Sequence, residues 1–316
     1  MKTKNAKNMT TMRQSDYHVT KREFLKRSGY IIAGLSVRAS HASAAIKPNP
    51  VKFSFGIVTD PHYADTASRG HRFYSESAVK MQECITFMND KQVDFLIELG
   101  DFKDQCSPVS EQSTLTQLET IETIFKQFKG PRYHVLGNHD ADSISKEQFL
   151  ARVENTGIAQ NANYYSFDSH GVHFVVLDAN VRADGLDYDH GNFDWTDANI
   201  PCKQQDWLKK ELVSTSKPVV VFIHQQLDGE DNHCVKNAAE IRQLLQASKR
   251  VLAVFQGHNH AGHYSLIDQI HYYTLKAMIE GTGLQNSAYA IVEVHDTLDL
   301  TVTGYRRATS KKMPSA

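Results

Sequence analysis

Five short apolar runs in this sequence each end in residues of the types that bind metal ions. One of them, FQGHNH at residues 255–260, places two histidines two positions apart behind a glycine and the run VLAVFQ. Taken alone it proves little, because the chain has 16 histidines and a His-rich loop is commonly a polar turn. The residues that follow the other four runs are Asp60 and His62, then Asp101, then Asn138, His139 and Asp140, and then His224. The repetition indicates one shared site.

The elements that must position these residues alternate between short apolar runs and longer amphipathic stretches, which is the βα pattern. Strands are predicted at 52–59, 93–99, 132–136, 218–223 and 251–256, and helices at 75–90, 110–129, 145–155, 203–213 and 236–249. From residue 262 onward the pattern predicts strands alone, which we expect to form a second all-β block. Loop 183–201 is long enough to predict a lid or a binding loop.

Residues at the carboxyl ends of neighbouring strands converge even when they are far apart in the chain, because the crevice of such a sheet lies beyond those ends. Each residue alone has an ordinary role, since Asp caps helices, Asn forms turns and His is often a satisfied polar group. Coincidence at five strand ends is a much weaker explanation than convergence on a site.

The converging set offers three acid or amide oxygens and four imidazoles. That is too many ligands for one tetrahedral zinc ion and suits two cations, for which Mn, Fe, Zn and Co are all compatible. Asp101 can bridge two metals about 3.5 to 4 Å apart, an arrangement that supports in-line displacement at phosphorus. The glycines before Asp101, Asn138 and His258 are expected to allow sharp turns and close approach of the backbone.

The motifs DPH, GD, GNHD, the isolated histidine and GHNH occur in the order found in calcineurin-like metallophosphoesterases, and residues 53–263 resemble that family. The resemblance implies an α/β fold in which two mixed β-sheets flanked by helices form a four-layer αββα sandwich. It implies one metal ion held by Asp60, His62, Asp101 and His260, and a second held by Asp101, Asn138, His224 and His258.

The same resemblance implies a hydrolase that cleaves a phosphoester or phosphoanhydride bond with water activated by the metal ions. His139 would lie over the scissile phosphate, stabilise its charge and protonate the leaving oxygen. Asp104, the second acid of GDFKD, would orient the His139 imidazole.

The run GHNHAGHYSLIDQIHYYTLKAMIEG resembles the manganese-dependent ADP-ribose and CDP-alcohol diphosphatases of this superfamily, so a nucleotide diphosphate derivative is the favoured small-molecule substrate. Arg72 and Tyr74, in the stretch Arg72-Phe73-Tyr74, are candidate substrate-binding residues. Arg72 could bind a phosphate that the metals do not hold, or could be a solvated residue near a helix start. Trp195 and Tyr188 could stack on a base, although a loop aromatic is more often a packing anchor.

Three alternative functions are weighed against this one. A general phosphomonoesterase or phosphodiesterase would use the same ligands, and a non-catalytic binding protein on the same fold predicts missing ligands, whereas none is missing. A nuclease would require a basic groove or an added nucleic-acid module. Beyond residue 38 the chain carries 26 basic and 34 acidic side chains, and this net charge of −8 argues against strong nucleic-acid binding.

The N-terminal residues form a basic segment, with nine Lys or Arg against two acids in residues 1–38. An apolar stretch and the small-x-small pattern Ala42-Ser43-Ala44 follow, which predicts an export signal over 1–44 and a periplasmic or extracellular protein. Lys21-Arg22 stands where a twin-arginine signal has its arginine pair, so the export route stays open. The alternative is a disordered basic arm that binds nucleic acid or a membrane, on a cytoplasmic protein. A linker at 45–51, a catalytic domain at 52–308 and a tail at 309–316 complete the predicted organisation.

No apolar run approaches the roughly 20 residues that a membrane-spanning helix needs. The four cysteines, Cys84, Cys106, Cys202 and Cys234, show no CxxC spacing, which leaves disulfides and buried free thiols as alternatives. The oligomeric state is not indicated by the sequence.

Overall fold

The structure, a computed structural model, describes residues 49–315. The predicted export signal and most of the predicted linker lie outside these residues, so they stay predictions. No helix in the described part of the chain is long and apolar enough to cross a membrane.

Within residues 49–315, twelve strands form two six-stranded mixed sheets. In chain order the strands are β1 Val51–Val58, β2 Phe95–Glu98, β3 Arg132–His134, β4 Tyr165–Ser169, β5 Val172–Val176, β6 Val219–Phe222, β7 Val251–Gln256, β8 His263–Ile267, β9 Ile270–Thr274, β10 Ala288–His295, β11 Leu300–Arg306 and β12 Lys311–Met313. The first sheet has the order β12-β11-β10-β1-β2-β3 and the second has the order β4-β5-β6-β7-β9-β8. Strands β1 to β3 run parallel to one another, as do β5, β6, β7 and β9.

The helices cover the outer faces of the two sheets. They are α1 Ser77–Lys91, α2 Glu111–Phe125, α3 Lys146–Leu150, α4 Cys202–Ser214 and α5 Ala238–Ser248. Helices α1 to α3 pack on the first sheet, and α4 and α5 pack on the second. Side chains alternate along each strand, so Phe55 and Ile57 of β1 enter the core between the sheets while Val58 faces the helices. The prediction of a four-layer αββα sandwich is confirmed.

The five strands that precede the metal-binding motifs are all present, and each predicted helix exists, with α2 and α3 ending earlier than expected. The separate all-β block predicted after residue 262 is wrong: β8 and β9 extend the second sheet, and β10 to β12 extend the first. Local alternation identifies such strands, but it does not specify the distant strand with which each one pairs. The short strand β12 falls inside the segment 309–316 that was interpreted as a tail, because three residues are too few to show a period.

The hairpin β4–β5 is missing from the predicted elements. Its turn residues His170 and Gly171 both have positive φ, as in the type I′ turns that favour glycine at the second position. The signal was present in the alternation of YSFDSHGVHFVV, although β5 is buried along its whole length and ends in no predicted ligand.

Three ionisable side chains are buried together where β2 and β3 meet α2. The His134 imidazole lies between two carboxylates, with Nε2 3.1 Å from Oε2 of Glu122 and Nδ1 3.8 Å from Oε2 of Glu98. Burial opposes protonation of His134, but Glu122 and Glu98 outweigh it and raise its pKa to about 9. Glu98 also accepts a hydrogen bond from the Gly100 amide at 2.8 Å. Through Glu98, the three buried side chains therefore contact the turn that carries Asp101.

We predict that Glu122→Gln flattens the pH dependence of stability. A raised pKa in the folded state stabilises the protein fully below the unfolded value near 6.5, and this stabilisation is lost as the pH rises through about 9. The free energy of unfolding, measured with urea in the presence of a chelator, should therefore decrease between pH 6 and pH 9.5 by about 2 kcal/mol more in wild type than in the variant. Glu119→Gln, on the exposed face of the same helix, should behave as wild type. Equal losses in all three proteins would contradict a charged His134.

Candidate metal centre

The loops after β1, β2, β3, β6 and β7 meet at one edge of the sandwich, where both sheets end. Three come from the first sheet and two from the second. Backbone hydrogen bonds join neighbouring loops: the Asp60 amide donates to Gly100 O at 3.0 Å, His62 to Asp101 O at 2.9 Å and Gly257 to His224 O at 3.0 Å. The predicted residues therefore converge from the strand ends of two packed sheets, whereas the sequence pattern placed them along the edge of one open sheet.

Three groups of metal-ligand types lie at this edge. The first contains Asp60, His62 and His260, and the second contains Asp101, His224 and His258. A third group, His62, Asp104 and His139, shares His62 with the first. In the first group, Asp60 Oδ1 lies 3.5 Å from His62 Nε2 and 3.4 Å from His260 Nε2.

Asp101 belongs to the second group and also approaches the first. Its Oδ2 atom is 3.5 Å from His62 Nε2 and 3.1 Å from His224 Nε2. Asn138 follows β3 on the same edge. A carboxylate between two ligand groups has the placement expected of a bridging ligand.

The residues fit cations by a test that is independent of the motifs. Asp60 Oδ1, Asn138 Oδ1, His224 Nε2 and His258 Nε2 are buried and have no hydrogen-bond partner among residues 49–315. Buried polar atoms are rarely left unpaired, and a bound ion is one of the few explanations for several together. Nineteen buried side-chain atoms in residues 49–315 lack a hydrogen-bond partner, and these four belong to residues that were predicted as ligands.

Protein donors fix which oxygen of each carboxylate faces this space. Asp60 Oδ2 accepts hydrogen bonds from the Thr59 hydroxyl at 2.7 Å and the His258 amide at 3.1 Å. Asp101 Oδ1 accepts one from the His139 amide at 2.7 Å. The other oxygen of each carboxylate is left to face the imidazoles.

The imidazoles are oriented in the same way, through Nδ1. His224 Nδ1 bonds Leu99 O at 2.8 Å, His62 Nδ1 bonds Asp104 Oδ2 at 3.1 Å and His260 Nδ1 bonds Glu280 Oε1 at 2.7 Å. In each case Nε2 is directed into the centre, as for histidines whose second nitrogen is held by an outer partner. Glu280 was not predicted from the sequence, because it lies beyond β9, 20 residues from the histidine that it contacts.

The pKa values follow from burial and from the opposite charges. Burial alone would raise the pKa of Asp60 and Asp101, but His224 and the other imidazoles outweigh it and hold both well below their usual range. Asp101 and Asp60 in turn overcome burial at His224 and raise its pKa to about 10. His258 behaves differently, since burial and the nearby His224 lower its pKa to about 3. In the metal-free protein, protons thus partly neutralise the carboxylates, and metal binding must displace them.

The backbone is strained at the residues that reach the centre. Asp60, His62, Asp101 and His258 all have φ between 45° and 66°, which is uncommon for residues other than glycine and clusters at functional sites. Two of the motif glycines are required by close approach: a Cβ on Gly137 would lie 2.1 Å from the Asp101 amide nitrogen, and one on Gly257 would lie 2.2 Å from the Thr59 hydroxyl.

His139 lies beside the centre, with its ring 4.7 Å from that of His62. Its Nδ1 atom is 3.4 Å from Oδ2 of Asp104 and 3.4 Å from Oδ2 of Asp142. Burial lowers its pKa, but Asp104 and Asp101 outweigh this and raise it well above the usual value. Asp140, next along the motif, is a structural residue whose carboxylate accepts hydrogen bonds from the amides of Gly137, Asp101 and Phe102 at 2.8, 3.1 and 2.9 Å.

A cleft of roughly 370 Å³ opens over the centre. It is lined by Arg72, Asp101, Asn138, His139, Trp195, His233, His258 and His260. Trp195 of loop 183–201 faces the cleft with its ring 5.4 Å from that of His258 and is 41% exposed. Tyr188 of the same loop is fully buried and stacks on Phe193, so it is a packing anchor. Tyr74 is also nearly buried, in a small apolar cluster with Ala64 and Ile279, although it borders an adjoining pocket with Arg72.

A larger cavity of roughly 670 Å³ lies at the other end of the sandwich, at the starts of β6 and β7, and contains none of the predicted ligands. The four cysteines form no disulfide with one another.

The model of the family described as calcineurin-like phosphoesterase matches residues 53–262. The chain belongs to this family. It is accordingly a metal-dependent phosphoester hydrolase, and the resemblance drawn from the motifs is confirmed.

Relatives named manganese-dependent ADP-ribose/CDP-alcohol diphosphatase align with this phosphoesterase over most of their length. The protein of that name from Arabidopsis thaliana is 26% identical over 85% of this chain and 98% of its own length. The one from Homo sapiens is 24% identical over 79% of this chain and 91% of its own. A crystal structure of a dimetal phosphatase from Danio rerio, 20% identical, superposes with a TM-score of 0.73 over 84% of this chain and all of the other, which shows a common fold.

We predict that Glu280→Gln weakens manganese binding because it removes the carboxylate that orients His260. Replacing such outer partners typically costs about 10- to 100-fold in metal affinity. Titration calorimetry with Mn²⁺ would measure this loss. Asp268→Asn, at the exposed β8–β9 turn, is the matched control and should bind as wild type does. An unchanged affinity in Glu280→Gln would show that His260 needs no such partner.

Proposed function

We propose that this phosphoesterase is a dinuclear, manganese-dependent hydrolase of nucleotide diphosphate derivatives. One cation would be held by Asp60, His62, Asp101 and His260, and the other by Asp101, Asn138, His224 and His258. The observation that carries this proposal is the position of Asp101 Oδ2, within 3.5 Å of a nitrogen from each of the two ligand groups.

The two cations would supply Lewis-acid activation of water and neutralise charge on the phosphoryl group. The chain's own residues supply the rest. His139 lies on the wall of the cleft, and a protonated imidazole there can stabilise phosphoryl charge and donate a proton to the leaving oxygen. Its amide also donates to Asp101 Oδ1, which ties the position of His139 to that of the shared carboxylate.

Two cleft residues support a nucleotide substrate. Arg72 borders both the main cleft and an adjoining pocket of roughly 170 Å³ that also contains Arg69 and His139. A guanidinium there can bind the second phosphate of a diphosphate in a bidentate manner. Trp195 also lines the main cleft and presents an aromatic surface on which a base or ribose can pack. The names of the relatives from Arabidopsis thaliana and Homo sapiens give the same substrate class for those proteins.

The test is hydrolysis of ADP-ribose, CDP-choline, p-nitrophenyl phosphate and bis-p-nitrophenyl phosphate, each with Mn²⁺ and with chelator. We expect chelator-sensitive turnover with a higher kcat/KM for the first two. His139→Ala should reduce kcat by about 10²- to 10⁴-fold, the usual contribution of a general acid. His170→Ala, at the remote β4–β5 turn, should be as active as wild type. A preference for the nitrophenyl esters would instead support a general phosphomonoesterase or phosphodiesterase.

Trp195→Ala is expected to raise KM for ADP-ribose by about 3- to 10-fold with little change in kcat, because an aromatic stacking contact contributes about 0.5 to 1.5 kcal/mol. Leu186→Ala, an exposed apolar residue of the same loop, is the matched control. Steady-state kinetics with both variants would show whether Trp195 contributes to substrate binding. If the two variants have the same KM as wild type, Trp195 does not contact the substrate.

A further inference from the structure

Two carboxylates compete for the role of partner to His139, and they are not equivalent. Oδ2 of Asp104 is hydrogen-bonded to His62 Nδ1 at 3.1 Å, and its Oδ1 accepts from the Gln105 amide at 2.7 Å. Both oxygens of Asp104 are therefore engaged, one of them with a residue of the first ligand group. His139 Nδ1 lies 3.4 Å from Oδ2 of Asp104 and equally far from Oδ2 of Asp142, and neither contact is a hydrogen bond, so the two carboxylates differ in their other partners and not in this distance.

Asp142 has a free oxygen in the right place. Its Oδ1 atom is held by the ammonium of the buried Lys103 and by the Ser143 hydroxyl. Its Oδ2 atom is buried with no hydrogen-bond partner in the described part of the chain, and so is His139 Nδ1, which lies 3.4 Å away. An unpaired acceptor and an unpaired donor thus face each other across a gap that a small rotation closes.

Local structure couples these two residues. His139 begins a single 3₁₀ turn, His139–Ala141, and the Asp142 amide donates to His139 O at 3.3 Å as the turn ends. Lys103 belongs to the loop after β2, so its ion pair with Asp142 fixes this turn against the loop that carries Asp101. Such an arrangement holds a carboxylate on one side of the imidazole and leaves Nε2 on the opposite side.

We propose that Asp142, anchored by Lys103, is the positioning residue for His139, while Asp104 serves chiefly to orient the ligand His62. This assignment rests on the proposed function in that it takes His139 as the proton donor. It differs from the role that the motif GDFKD implied for Asp104.

Asp142→Asn and Asp104→Asn separate the two roles. Asp142→Asn should bind Mn²⁺ within about 2-fold of wild type, whereas Asp104→Asn should lose about 10- to 100-fold in affinity, as expected when the partner of a ligating histidine is removed. In spectra of ¹⁵N-histidine-labelled protein, the Nδ1–H signal of His139, assigned by its absence in His139→Gln, should be lost in Asp142→Asn and retained in Asp104→Asn. The reverse pattern in either measurement would overturn the proposal.

Kinetics give a third readout that a merely structural effect would not move. The phenyl and p-nitrophenyl esters of thymidine 5′-monophosphate differ in how much the leaving oxygen needs a proton. Asp142→Asn should reduce kcat for the phenyl ester at least about 10-fold more than for the nitrophenyl ester, within the usual range of general acid catalysis. Equal losses on both esters would count against the assignment. If wild type hydrolyses neither ADP-ribose nor CDP-choline with Mn²⁺, the proposed function fails, and the binding and spectroscopic results still decide the role of Asp142.

Removing the Asp142 charge leaves the buried Lys103 ammonium unpaired, which can destabilise a protein by several kcal/mol. Asp142→Asn/Lys103→Met removes both charges and is the variant to use if the single change fails to fold. The same outcomes are expected of it, because the Lys103 ammonium is paired with Asp142 and makes no hydrogen bond to His139 within residues 49–315.

Discussion

The burial of two carboxylates at the edge between the sheets is the constraint on which the site depends. Asp60 is fully buried and Asp101 nearly so, and an uncompensated charge in such a place strongly favours unfolding. Protein donors satisfy one oxygen of each carboxylate and leave the other to the imidazoles. The centre is therefore stable only when protons or cations occupy it, which couples metal binding to folding.

Because the ligands come from both sheets, the distance between the sheets sets the distance between the ligand groups. Phe55 of the first sheet packs against Phe174, Phe222 and Phe255 of the second, with ring centroids 5.6 to 5.8 Å apart. Close-packed cores resist compression and transmit displacement. The aromatic layer between the sheets is thus part of the metal centre's geometry, although none of its members reaches the cleft.

The sequence was most informative where structure is local. A strand followed by residues of metal-binding type is visible in ten residues, so all five motif strands could be predicted, and the seven candidate ligand residues lie at one edge of the sandwich. It was least informative where pairing is distant: the strands after residue 262 were expected to form one block, yet they divide between both sheets. Asp142 and Glu280 were missed for a similar reason, since an acid becomes an orienting residue only through the imidazole that it meets in the fold.

Lys80 shows why such orienting contacts escape sequence analysis. Its buried ammonium donates to the carbonyls of Met278, Ile279 and Gly281 at 3.0, 3.3 and 2.6 Å, and burial lowers its pKa to about 8, so it stays largely charged at neutral pH. These bonds fix the segment that carries Glu280, and the amides of that segment donate to the carbonyls of Thr59 and Asp60. Backbone carbonyls are acceptors in every residue, so no pattern of residue types marks them in advance. The candidate ligands are marked by residue type at strand ends, whereas the segment that orients His260 is held by a lysine 180 residues earlier in the chain.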